Sequence, residues 1–417
     1  MNTGRRRLRA PPRPLAPRPI LDVDLDADPA RAPAAISPAG ALLVFWSAGV
    51  PVGQRVVAAT ELPSSPANAS PAGARHGIGP AAGSGSRPGL VPAAADDVTV
   101  VVCTRDRPEG LARCLAAIGR STAPPREVVV VDNAPSSEAT RLVVSRLPGV
   151  RYVREPRPGL DIARNTGLLA VTTEFVAYTD DDAVPHPDWT WRIRQAFDAA
   201  SIVGVTGLVL PAELDTEAQV LFEDHAGFGR GCVRRDFDAG FLTRHRRWGA
   251  PVWEIGAGAN MAFRRSAVEE VGGFDERLDV GAAGCSGDSE MWYRLLASGG
   301  RCRYDPAAVV HHHHRRDLDA LRRQMYSYMR GHACALLVQF ERHRDPGNIR
   351  RLLLSLPRYY GRRVPGLLVR RLLGSARPAD ALLGPQLRGW LAGILFYARA
   401  RGHGRGGAGH AERRVTR

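Results

Sequence analysis

The chain has 417 residues, 44% of them hydrophobic, so it is long enough for a large core and more than one domain. Its formal charge of +15 raises nucleic acid and membrane as partners, but every basic residue is an arginine, in a sequence biased throughout towards Ala, Gly, Pro and Arg. Residues 315–417 hold 22 arginines against six acids, which leaves residues 1–314 close to neutral and confines the basic excess to one end.

In chain order, residues 1–40 are rich in Arg, Pro, Ala and Asp and predict a disordered tail. "ALLVFWSAGVPVGQRVVAATEL" (41–62) places two apolar runs about a Gly/Pro turn, a β-hairpin pattern. Residues 63–95 read as a flexible Pro/Gly/Ser/Ala linker. At Asp96 the texture changes. "DDVTVVVCTRDRPEGLARCLAAIGR" gives a buried strand, a polar turn and an amphipathic helix, and "PREVVVVDNAPSSEATRLVVSRL" repeats that order. "GVRYVREPRPGLDIARNTGLLAVTTEFVAYTDDD" gives strand, helix and strand. Short β-rich runs alternating with helices predict an α/β domain over 96–314, with a mostly parallel central sheet flanked by helices. Ligands in such sheets bind outside the carboxyl ends of the strands. Thr104, Asp106, Asp132 and the triplet Asp180–Asp182 all fall at that edge and are expected to converge. From Arg315 to 402 the chain reads as a basic helical region in which Pro357 and Pro365 divide short helices. Residues 403–417 read as a second disordered tail.

The triplet carries the first chemical signal. Asp180 and Asp182 are alternate members of a strand end and can share one face. Hard carboxylate oxygens suit Mg2+ or Mn2+ together with substrate phosphates; the bland reading is a solvated acidic turn. Other sites are excluded. There is no GxxxxGK[ST] and no HExxH, and "GAGAN" (256–260) lacks the strand-first context of a dinucleotide fingerprint. The six cysteines form no CxxC pair and no disulfide framework, which fits a reducing compartment. No secretory leader and no apolar run of about 18 residues is present, so a cytoplasmic protein is expected.

The ordered set "VTVVVCTRDRPEGLARCL", "EVVVVDNAPS", "GLDIARNTGL", "YTDDD", "GAGANMAFRR", "GGFDE", "GDSEMWYRLL" and "VVHHHHR" resembles glycosyltransferase family 2, over just more than half of the chain. The resemblance implies a GT-A fold and a nucleotide-diphospho-sugar donor. By position it implies that Thr104 and Asp106 hold base and ribose, Asp132 the base, Arg164 base or phosphate, Asp180 the ribose side, and Asp182 the metal. Asp288 stands where the family keeps its general base, and Glu290 beside it is expected to contact substrate. Gly287 departs from the family's usual glutamate, which puts acceptor contacts in doubt. His312, in the pattern Val310-x-His312-x-x-Arg315, matches a third metal ligand of some relatives. Each role has a simpler counterpart: helix capping for Thr104 and Asp106, a surface arginine for Arg164, a dipole-favoured acid for Asp288, polar edge filler for His311–His314.

The expected function is therefore a metal-dependent, inverting glycosyltransferase that adds one sugar to a glycan or lipid-linked acceptor, in cell-envelope or other glycoconjugate synthesis. The competing class is a non-catalytic nucleotide-sugar or carbohydrate-binding protein on the same fold. Processive synthases of the family carry a Gln/Arg-x-x-Arg-Trp motif and membrane spans, and neither is found here. Nucleic acid is not an expected partner, because the basic end lacks interleaved stacking motifs. Leucines, tyrosines and arginines at 348–401 allow two readings: peripheral contact with an anionic membrane on its inner face, or packing on the catalytic domain.

Overall fold

A computed structural model describes residues 15–27, 40–58 and 95–411, with side chains as far as Arg401. The linker at 63–94 lies outside the described residues, as do residues 1–14 and 28–39 of the first expected tail and 412–417 of the last.

Three strands open the chain: β1 (Ile20–Asp24), β2 (Ala41–Ser47) and β3 (Val50–Val57). β2 and β3 pair antiparallel about Ala48 and Gly49, both at positive φ, as a tight hairpin turn requires. β1 pairs parallel with β2, so part of the segment read as a tail is a strand. Its alternating "ILDVD" is too short to identify without the partner it joins.

The main domain follows as β4 (Ala95–Thr104), α1 (Pro108–Ile118), β5 (Pro125–Asn133), α2 (Ala139–Val144), β6 (Val150–Glu155), α3 (Leu160–Ala170), β7 (Phe175–Asp180), β8 (Ala183–Pro185), α4 (Trp189–Ala196), β9 (Ile202–Pro211), α5 (Glu217–Ala226), β10 (Arg235–Phe237), α6 (Ala239–His245), a 3-10 turn (Val252–Glu254), β11 (Asn260–Arg264), α7 (Arg265–Glu270), α8 (Gly287–Ala297) and β12 (Arg301–His312). The sheet order is β10-β12-β9-β11-β7-β4-β5-β6, with β8 against β12. β4, β5, β6 and β7 are mutually parallel, as are β9 and β12, while β11 runs antiparallel between β7 and β9. This is the α/β architecture expected from the sequence, mostly parallel and flanked by helices.

The valine runs explain why the strands sit inside. Val98, Val100 and Val102 pack on one face of the sheet and Val101, Val129 and Val131 on the other, so each strand is covered twice and reads as continuously apolar. Each fully buried valine is worth about 1.5–3 kcal/mol. α3 lies very close to the sheet: a Cβ on Gly167 would come within 2.5 Å of Val101.

The C-terminal region contains α9 (Leu318–His343), α10 (Pro346–Arg350), a π-helical turn (Arg351–Ser355), α11 (Leu356–Leu372) and α12 (Asp380–Ala411). Pro357 falls in the first turn of α11, where no intrahelical N–H is lost, and Pro365 is carried inside that helix instead of ending it. α12 continues through residues expected to form a tail. α9 and α12 meet backbone to backbone: a Cβ on Gly389 would lie 2.2 Å from Tyr326 O, and one on Gly393 2.3 Å from Arg330 O. Tyr360, Leu367 and Leu383 form one small core of this region, and Leu336 and Leu352 belong to another. The outer faces of the π-helical turn, α11 and α12 leave Leu353, Leu354, Leu368, Leu372, Leu391 and Leu395 exposed. No described helix is long and apolar enough to cross a membrane.

Candidate active site

The carboxyl ends of β4, β5, β7 and β12 open into one cavity of about 1750 Å³. Thr104, Asp180, Asp181, Asp182, Arg164, Asp288 and His312 all line it. The parallel strands bring Thr104, the triplet and His312 together because each strand runs towards the same edge before its loop begins, and Arg164 and Asp288 reach the cavity from α3 and α8.

The triplet divides its work. Asp181 is buried and turned inward, accepting from Thr104 Oγ1 at 2.7 Å and from Arg107 Nη1 at 3.0 Å. Asp182 accepts from Arg107 Nη1 at 3.1 Å, faces His312 Nε2 at 3.1 Å and lies 3.6 Å from Arg315. Asp180, Asp182 and His312 can each offer one ligand atom, and these atoms lie within 4.8 Å of one another. Two carboxylates and an imidazole suit a divalent cation. Burial and the neighbouring charge of Asp182 push Asp180 up to about 6, a penalty that a cation between the two would relieve. Burial opposes the charge of Asp182, but His312, Arg315 and Arg107 outweigh it and hold Asp182 well below the usual carboxylate range.

His312 is fixed from behind. Its Nδ1 lies 3.1 Å from Nδ1 of His314, whose Nε2 lies 3.1 Å from Glu223 on α5. The histidine run thus splits by strand alternation, with His312 and His314 turned the same way.

Asp288 enters from the start of α8, where Ser286 takes a left-handed conformation (φ 78°). Its Oδ1 accepts from the Ser289 N–H at 2.6 Å. Burial and the charge of Asp279 raise its pKa, and Arg164 opposes them. Arg164 is itself buried, bonded to Asp161 at 2.9 Å and Asp279 at 2.6 Å. It is therefore no surface residue; it holds together the acids around Asp288. Gly287 has a local reason as well. A Cβ there would lie 2.0 Å from Asp161 Oδ2, so the carboxylate of α3 fills the space that a side chain at 287 would need.

Three expected residues stand apart. Asp106 is exposed, with φ 54°, and accepts from the N–H and hydroxyl of Ser136, tying the loop after β4 to that after β5. Asp132 is buried on the far face of β5, where Oδ2 accepts from Tyr152 OH at 2.9 Å; strand alternation gives the cavity to Asn133 instead. Glu290 is fully buried and bonded to Arg294 at 2.8 Å. Two residues beyond Asp288 on a helix, it faces roughly the opposite side and does not line the cavity. Asp161, Arg107, Glu223 and Asp279 were missed. Only Asp161 left a signal, its spacing of three from Arg164 on a helix.

Residues 99–272 match the family model described as glycosyl transferase family 2. The chain is 29% identical over 223 residues to the pre-mycofactocin glycosyltransferase of Mycobacterium tuberculosis, covering 53% of this chain and 44% of that protein. It is 27% identical over 221 residues to the succinoglycan biosynthesis protein ExoM of Rhizobium meliloti, covering 51% and 66%. The chain thus spans less than half the length of the first of these relatives and about two thirds of the second. Among solved structures, the mannosyltransferase PcManGT from Pyrobaculum calidifontis, in complex with GDP-Man and Mn2+, aligns with a TM-score of 0.49 at 21% identity, over 72% of this chain and 87% of that one. The matched residues carry β4 to α7 and the acidic loop at their centre, and over that segment the chain is similar to glycosyl transferase family 2.

Proposed function

We propose that the protein is a metal-dependent, inverting glycosyltransferase that moves one sugar from a nucleotide-diphospho-sugar to an acceptor hydroxyl. The observation that carries the reading is the sharing of one cavity by a cation-ready acidic cluster and a separate carboxylate, Asp288, with a raised pKa. Asp180, Asp182 and His312 would hold Mg2+ or Mn2+, which when bound supplies positive charge to the leaving diphosphate. Thr104 and Arg107 fix the acidic loop through Asp181, and Arg107 and Arg315 stand at its lip where diphosphate oxygens would lie. Asp288 takes the proton of the acceptor hydroxyl as that oxygen attacks the anomeric carbon from the face opposite the diphosphate. Arg164 opposes the rise that burial and Asp279 impose on the Asp288 pKa, and Asp106 and Asp132 set the loops that border the nucleotide. Glu290 has a packing role.

The names of the relatives support a place in envelope or other glycoconjugate synthesis. The leucines and arginines on the outer faces of α11 and α12 support an acceptor met at an anionic membrane surface. A panel of UDP-, GDP- and dTDP-sugars with Mn2+ or Mg2+ tests the reaction; cation-dependent donor hydrolysis or transfer is expected with one of them. A binding module on the same fold would bind a nucleotide and turn over none. Flotation with anionic vesicles, compared with neutral ones, tests the surface contact.

A further inference from the structure

The same cavity is also lined by cations that no described carboxylate pairs. Arg230 gives Nε and Nη1, but not Nη2, to main-chain oxygens among the described residues: Nε to Trp253 O at 3.0 Å, and Nη1 to Gly227 O at 2.9 Å and Gly229 O at 3.2 Å. Arg351, at the start of the π-helical turn, donates to Gly249 O at 2.8 Å and lies over the Trp253 ring, 4.4 Å from its centroid. Its buried Nε has no partner among the described residues. His332 of α9 meets the same ring edge-on at 5.0 Å. Burial lowers the pKa of both arginines, Arg351 to about 10, offset in part by exposed Glu254 at Arg351 and by Tyr304, Asp288 and Glu254 at Arg230; burial also holds His332 neutral, at about 3. Asp288 is among the charges acting on Arg230, and the two line the same cavity. Leu356, Tyr359 and Tyr360 of α11 and Phe396 of α12 continue the wall.

A desolvated guanidinium with no counter-charge is costly, and an arriving anion offsets that cost. Resting on the transferase reading above, we propose that Arg230, Trp253 and Arg351 form an anion subsite for an acceptor that carries a phosphoryl group. One arginine fork saturates a carboxylate; two from separate elements suit the larger charge and three oxygens of a phosphoryl group. The leucine and aromatic wall beyond them receives the non-sugar remainder of that acceptor.

The test is calorimetry on the full chain with inorganic pyrophosphate, in EDTA so that the acidic loop holds no cation. Wild type is expected to bind. Arg351→Gln should weaken binding by about tenfold or more, a loss that reads directly as affinity, and Arg351→Lys should restore part of it. Arg230→Gln is the second variant should Arg351→Gln melt early. Undiminished binding in a folded variant, or no binding by wild type, overturns the proposal. A parallel titration with UDP, GDP or dTDP and Mn2+ separates the two readings: nucleotide binding without pyrophosphate binding leaves the transferase and removes this subsite, whereas no binding of any nucleotide removes the transferase. Vesicles of equal parts phosphatidylcholine and phosphatidic acid distinguish the sources. Arg351-dependent binding to them identifies a lipid-borne phosphoryl group, and Arg351-dependent pyrophosphate binding without it identifies a soluble one.

Discussion

The two walls of the cavity are built from different elements and charged in opposite senses. One is made by the strand ends of β4, β7 and β12 with α3 and the loop before α8, and most of its acids are paired: Asp181 with Arg107, Asp182 with Arg107 and His312, Asp161 and Asp279 with Arg164. The other is made by the turn at Trp253 and the C-terminal helices, and its arginines rest on carbonyls and a ring. A wall with paired charges holds its geometry without a ligand, which suits the side where the proposed cation and diphosphate would be aligned. A wall with unmatched charge is completed only by what binds there.

Substitutions on the matched wall should have the larger effects. Asp182→Asn is expected to abolish cation-dependent nucleotide binding, because it removes a ligand charge and the partner of His312 while leaving β7 intact; calorimetry with a nucleoside diphosphate and Mn2+ would show it. Retained binding would mean that the cation sits elsewhere. Asp288→Asn should lower turnover by roughly 100-fold or more with donor affinity little changed. A steady-state assay set against donor titration separates this from a structural part, which would lower affinity as well.

Acid should act on the same wall in a set direction. Asp180, raised to about 6, must lose its proton before it can hold a cation. Mn2+ affinity is therefore expected to be steady above about pH 7 and to fall by up to about tenfold per unit as pH drops below about 6. Manganese titration followed by electron paramagnetic resonance measures this; affinity constant down to about pH 5 would contradict the shared carboxylate site. The smallest effect should come from packing. Gly287→Ala pushes a methyl group against Asp161, and overpacking of this kind costs about 1–3 kcal/mol, seen as a lower melting temperature. An unchanged melting temperature would show that α3 and α8 can part without loss.

The strand-end wall was legible in the sequence and the helical wall was not. Valine runs ending in Thr104, Asn133 and Asp180 announce both the strands and the edge where they stop, because parallel strands are apolar on both faces. What a single sequence does not give is which way the last side chains turn. Asp132 and Glu290 were placed in the site by their motifs, and β alternation and helical rotation send both elsewhere. Arg351 and Trp253 are nearly a hundred residues apart, and nothing in either stretch announces their contact. β1 was lost for a related reason, since five residues form a strand only against β2. Pro365 was given too much weight: the packing of α11 on its neighbours outweighs one missing backbone bond.

The hydrogen bonds behind His312 have a direction. When ionised, Glu223 can only accept, so Nε2 of His314 must donate to it and Nδ1 of His314 must accept. Nδ1 of His312 is then obliged to be the donor of the next bond. One carboxylate on α5 thereby settles the tautomer of a ring two bonds away, and Nε2 of His312 can gain or lose its proton beside Asp182 while every bond behind it stays as it was.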